Sequence, residues 1–150
     1  MMKILLGQNH LHTVGGSETF IYSMAKQMTY LGHQGDIVTL QPGFVSELIH
    51  REFGCNINIF QDSYDIALLN HTTIVNGIKS MFPGGNIIQT CHGIYPELEQ
   101  PVSGVRHVSI SLEVMKHLKI KGYDSTLIHN GIDCQVFAPL EQTSPVLKKV

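Results

Sequence analysis

Short apolar runs alternate with helix-spaced apolar stripes along this chain. The first run, Ile4-Leu5-Leu6, reads as a buried strand. Polar residues and Gly15-Gly16 follow. A helical pattern then starts near Ser17, with Phe20, Met24, Met28 and Leu31 on one face. Gly32 is a fitting C-cap. Residues 36–40 predict the second strand, broken by Pro42-Gly43. Val45, Leu48, Ile49 and Phe53 predict a short helix closed by Gly54. Residues 56–60 alternate apolar and polar positions, which predicts an edge-side strand. Residues 64–69 predict another. Thr72 is positioned to cap a helix whose face is Ile74, Ile78 and Met81, stopped by Pro83-Gly84-Gly85. Residues 86–90 and 106–110 predict strands, with a loop over 91–104 between them. Ser111 caps a helix with Val114, Met115 and Leu118 inward, ended by Gly122. Residues 125–129 predict the last strand, and 130–150 have no clear period and read as an exit segment.

Short strands that are apolar on both faces, separated by helices, indicate a mostly parallel sheet covered on both sides. The expected fold is α/β, doubly wound and Rossmann-like, with about seven strands. There is no internal repeat and no low-complexity tract.

Composition narrows the function classes. A chain of 150 residues suits one domain. The net charge of −2 gives no electrostatic reason to expect nucleic acid as a partner. No apolar run approaches the roughly 20 residues of a membrane span. The N-terminus enters the first strand directly, without a signal-peptide core, so a cytoplasmic location is expected. Cys55, Cys91 and Cys134 are odd in number and far apart, as reduced thiols are.

In a doubly wound sheet, ligands bind beyond the carboxyl ends of the strands. After the first strand come Gln8, Asn9, His10 and His12; after the fourth, Asn70 and His71. After the fifth come His92 and Gly93, and after the last His129, Asn130, Gly131 and Asp133. Imidazole, amide and glycine suit a polyhydroxylated ligand, whose hydroxyls need paired donors and acceptors. Polar loops with Asn and Gly in turns account for any one of these residues singly.

Several chemistries lack their motifs. Gly15-Gly16-Ser17-Glu18 is neither a G-x-G-x-x-G fingerprint nor a P-loop, because the third glycine and a following Gly-Lys-Ser/Thr are missing. Glu18 is either a first-turn carboxylate favoured by the helix dipole or an acceptor for ligand hydroxyls. It would repel a phosphate set directly on this helix end. Cys91 lacks an opposed base, and adjacent His92 does not supply one. His10 and His12 lack the supporting pattern of a metal site, so no metal is expected.

Taken in order, the motifs resemble those of the N-terminal half of GT-B-fold glycosyltransferases of the retaining, family-4 type. Gly15-Gly16-Ser17-Glu18 is similar to that family's G-G-x-E. Residues 31–39, LGHQGDIVT, resemble its L-G-H-x-V-x-V-x-T, with Gly35 as a departure where an apolar residue is usual. Val108-Ser109-Ile110-Ser111 resembles V-S-x-S before a helix. Ile128 to Asp133, with Phe137 and Pro139, resembles I-x-N-G-I-D…F-x-P.

The resemblance implies two Rossmann-like domains facing across a cleft, with residues 1–139 as the acceptor-side one and 140–150 as a linker. It implies that Gly15 and Gly16 lie near the donor's diphosphate and sugar. It implies that His92 hydrogen-bonds the transferred sugar as the catalytic residue. His10, His12, Thr13, Glu18 and His71 would shape the acceptor side, and Asn130, Gly131 and Asp133 would mark the crossover between domains. The implied donor is a nucleotide-sugar, the acceptor a hydroxyl of unspecified class, and neither metal nor other cofactor is required. Membrane contact is left open by an unspecified acceptor. The C-terminal nucleotide-sugar domain, with its E-x7-E motif, is not in this sequence, so the chain alone is expected to fold without transferring sugar. Two other readings share the fold: a non-catalytic binding or assembly module using the inter-domain face, and a nucleotide-dependent oxidoreductase, against which the absent G-x-G-x-x-G argues.

Overall fold

The first strand, β1 (Lys3–His10), decides the layering. Its side chains alternate between two faces. Ile4 and Leu6 pack on one side with Ile21, Ala25 and Met28 of α1 (Gly16–Tyr30) and with Val45 and Ile49 of α2 (Phe44–Phe53). Leu5 packs on the other with Ile74, Val75 and Ile78 of α3 (Thr72–Met81). All of these are buried, and full burial of each Ile, Leu, Val or Met side chain among them contributes about 1.5–3 kcal/mol before entropy is counted.

The remaining strands are β2 (Gln34–Gln41), β3 (Asn56–Ile57), β4 (Ile66–Leu69), β5 (Ile87–Cys91), β6 (Arg106–Ser109) and β7 (Thr126–Leu127), with α4 (Leu112–Ile120) between the last two. The computed structural model, which describes residues 1–95 and 97–131, places all seven in one sheet in the order β3-β2-β1-β4-β5-β6-β7. Every pairing is parallel. Cys91 has the same parity in β5 as Ile87 and packs with Val114 and Leu118, so α4 covers the same face as α3. The expected doubly wound α/β fold is the observed one.

Gly7 sets how closely α3 approaches. A Cβ there would lie 2.6–2.8 Å from Leu69, Val38 and Ile74 side-chain atoms. The absent side chain lets the start of α3 settle over the middle of β1, which brings His71 to the end of that strand.

Several boundaries differ from the sequence expectation. β1 continues to His10 because Gln8 and Asn9, though polar, are buried and hydrogen-bonded. Residues 58–60 leave the ladder. The Asn58 side-chain amide accepts from the Thr39 N–H (2.9 Å) and donates to the Thr39 carbonyl (3.0 Å), replacing the next rung, and Ile59 is exposed. Thr72 is not the cap of α3 but its first residue; His71 is the N-cap, and the Thr72 hydroxyl donates to the carbonyls of Leu98 and Gln100. Met81 is exposed because the helix ends beside solvent. β4 begins at Ile66 rather than 64, and β7 keeps only two residues of the 125–129 run. Ser111 does cap α4, accepting from the Val114 N–H at 3.2 Å.

No helix among the described residues is long and apolar enough to cross a membrane. Asp133, Phe137, Pro139 and the 140–150 segment lie outside the described residues.

Candidate functional site

The chain runs outward from β1 to β2 and β3, then returns to β4 on the opposite side of β1. This reversal opens a crevice position at the carboxyl ends of β1 and β4, the place where such sheets bind ligands.

A polar chain floors that position. The fully buried Gln8 donates through Nε2 to the His10 carbonyl (3.1 Å) and to Ser17 Oγ (3.0 Å). Asn70 Nδ2 donates to Gln8 Oε1 at 2.6 Å, and Ser17 Oγ donates to Glu18 Oε2 at 3.2 Å. Asn70, Gln8, Ser17 and Glu18 thus link the end of β4 to the first turn of α1. Gln8 and Asn70 are both read from the sequence as polar strand-end residues; that they bury and pair with each other is not. The buried face of a strand end is where a polar residue needs a partner, and that placement is known only once β1 and β4 pair.

The imidazoles sit above this floor. His71 Nδ1 accepts the Asn9 backbone N–H at 3.3 Å, which leaves the neutral ring's proton on Nε2. The His71 ring lies 5.9 Å from that of His10, which lies 6.0 Å from His12. The His92 ring meets Phe20 edge-on with centroids 4.6 Å apart. Burial lowers the His71 pKa, the neighbouring His10 lowers it further, and Glu18 opposes both. His92 is pushed down to about 4, by burial first and then by His71. These two rings are therefore neutral near neutral pH and can donate or accept one hydrogen bond each.

Gly15 is the N-cap of α1 in extended geometry, without a side-chain cap. Glu18 Oε2 folds back over it, 2.5 Å from where a Cβ would stand, whereas a Cβ on Gly16 would meet open space. The bend leaves this helix end uncovered except by its own carboxylate.

Glu99 completes the site and carries no sequence signal. It is only 8% exposed. Its carboxyl group faces the backbone N–H groups of Gly93, His92 and Tyr95 in the loop after β5. Burial raises its pKa, and those N–H groups oppose the rise. Gln89 holds the adjoining segment by donating to the Gln100 carbonyl (3.0 Å) and accepting from the Val102 N–H (2.9 Å).

Not every expected site residue joins this cluster. Thr13 and His12 are exposed on the loop after β1, and His12 touches the cluster through His10 alone among its ring contacts. Asn130 and Gly131 are exposed beyond β7, three strands from β4, where His129 Nδ1 pairs with the Ile110 carbonyl at 3.0 Å. Cys55 and Cys91 are buried free thiols with pKa values pushed up to about 11 and about 12, chiefly by burial, so neither is a poised nucleophile. A cavity of about 390 Å³, lined by Tyr64, Ile78, Phe82 and Gly85 among others, opens at the amino end of the sheet, away from all of these groups.

No family model, curated protein or solved structure matches this chain. The resemblance to glycosyltransferases rests on the motifs quoted above.

Proposed function

We propose that the carboxyl rim is the acceptor side of a retaining, GT-B-type glycosyltransferase that moves a sugar from a nucleotide-sugar to a hydroxyl. What supports the reading is one juxtaposition. Asn9, His10, His71 and His92 gather beside the Gly15-Gly16 bend at the reversal of strand order. Neutral imidazoles and amides can each pair with a hydroxyl as donor or acceptor. No side chain here is an activated covalent nucleophile. Catalysis would then rest on positioning and on electrostatic stabilisation of the leaving diphosphate, with His92 bonded to the transferred sugar.

The same rim exposes Val14 (71%), Phe44 (59%) and Tyr95 (70%). In this reading they face the nucleotide-sugar domain. The second reading, an assembly module, uses the same apolar residues against another protein and assigns no role to the imidazoles.

Titration of the chain with methyl glucoside, followed by amide NMR, separates them. Shifts centred on Asn9, His71 and His92 that vanish in His71→Ala are expected. Shifts confined to the amino-end cavity, or none at all, would overturn the sugar reading.

A further inference from the structure

Charge is segregated between the two ends of the sheet. Lys3 and Arg106 begin strands at the amino end; Arg51, Lys79, Lys119 and Lys121 close helices there. Lys26 and Lys116 sit within α1 and α4, beyond their first turns. Among the described residues, no lysine or arginine stands at the carboxyl rim.

Carboxylates do stand there. Glu18, Glu47 and Glu113 occupy the first turns of α1, α2 and α4. Glu97 and Glu99 lie in the loop after β5. The helix dipole accounts for the first three, but the consequence is the same: three of the four helix ends at this rim already hold a negative charge. The fourth such end, that of α3, has no acidic residue in its first turn, but its Thr72 N–H is taken by the Leu98 carbonyl at 3.0 Å.

The unpaired atoms agree in sign. Asn9 Oδ1 and Asn70 Oδ1 are buried without a hydrogen-bond partner, and both are acceptors on residues at most 5% exposed. His92 Nε2 is unpaired as well. Acceptors without donors, on a rim where the described residues place carboxylates but no lysine or arginine, ask for a ligand rich in N–H or O–H and positive in charge.

We infer that this rim selects a polyhydroxylated ligand carrying an ammonium group, and disfavours phosphorylated or carboxylated ones. The inference rests on the sugar-binding reading above and adds the charge of the acceptor. Glu18 joins the cluster through Ser17 and folds over Gly15, and is the residue that reads that charge. The donor's diphosphate must then be held by groups other than this rim.

Three methyl glucosides differing only at C6 test this: the 6-amino-6-deoxy sugar, the parent glucoside and the glucuronide. Dissociation constants are measured on the whole chain near pH 7, at low and at high salt. The ammonium sugar is expected to bind about tenfold more tightly than the glucuronide, with the parent between, and the gap to narrow as salt rises. Glu18→Gln should shrink the gap by at least half on a logarithmic scale. A glucuronide that binds as tightly as the ammonium sugar, or a gap unmoved by Glu18→Gln, overturns the inference. If the parent glucoside binds and charge makes no difference, the charge selection alone falls. If none of the three binds, the sugar-binding reading falls with it.

Discussion

The edge of one ring meets the face of the other between His92 and Phe20, with centroids 4.6 Å apart. This contact ties the loop after β5 to α1, across the top of the sheet. It also helps to keep His92 dry, and that dryness has a cost at low pH.

His71 and His92 both have native pKa values below the ordinary imidazole value. As pH falls from about 6.5 to about 4, the unfolded chain binds protons that native His92 refuses. Stability is therefore full above about 6.5 and is lost below it, by up to about 3 kcal/mol from His92. Glu99, with its raised pKa, acts in the opposite sense, so the comparison is with His92→Asn rather than with an absolute curve. Urea midpoints taken at about pH 7 and about pH 5 should converge for the two proteins at the lower value. Parallel curves would remove His92 from the buried set.

Asn70→Ala strips Gln8 Oε1 of its partner in a fully buried position. The expected loss is about 1–3 kcal/mol, read from the denaturant midpoint. Replacing both residues by leucine should cost less than the sum of the two single replacements, because no polar atom is then left alone. Additive losses would mean that the two amides do not act as a pair.

Gly7→Ala places a methyl group within 2.6–2.8 Å of Leu69, Val38 and Ile74. We expect a loss of about 1–3 kcal/mol as α3 is pushed outward, together with weaker protection of the Asn9 amide that His71 accepts. An unchanged unfolding temperature would show that α3 does not rest on this position.

Cys55 and Cys91 are buried thiols with elevated pKa values. A thiol reagent at about pH 8 should label them only as fast as the protein unfolds, and at once in denaturant. Rapid labelling of either in the native protein would contradict the packing described.

The strands were legible because apolar pairs such as Leu5-Leu6 and Leu68-Leu69 face opposite sides of a covered sheet. Positions whose fate depends on a distant partner were not. Gln8 reads as the start of a polar loop, yet Asn70 and Ser17 keep it inside the strand. Glu99 falls in the 91–104 loop, between Pro96 and Pro101, with no pattern around it that marks burial. Its burial follows from Gln89 and Thr72 docking residues 98–102, contacts that span the interval between two strands. Met81 fits the helical period but is the last residue of α3, where periodicity says nothing about cover. His10, His71 and His92 were identifiable as strand-end residues; that they touch through their rings or share neighbours required the strand order.

Because Asn58 occupies the hydrogen-bonding groups of Thr39 with its own side chain, the outer border of the sheet is sealed just where β3 stops. A strand from a neighbouring molecule finds the amide and carbonyl of Thr39 already taken, so this rung of β2 cannot serve as a template for an added strand.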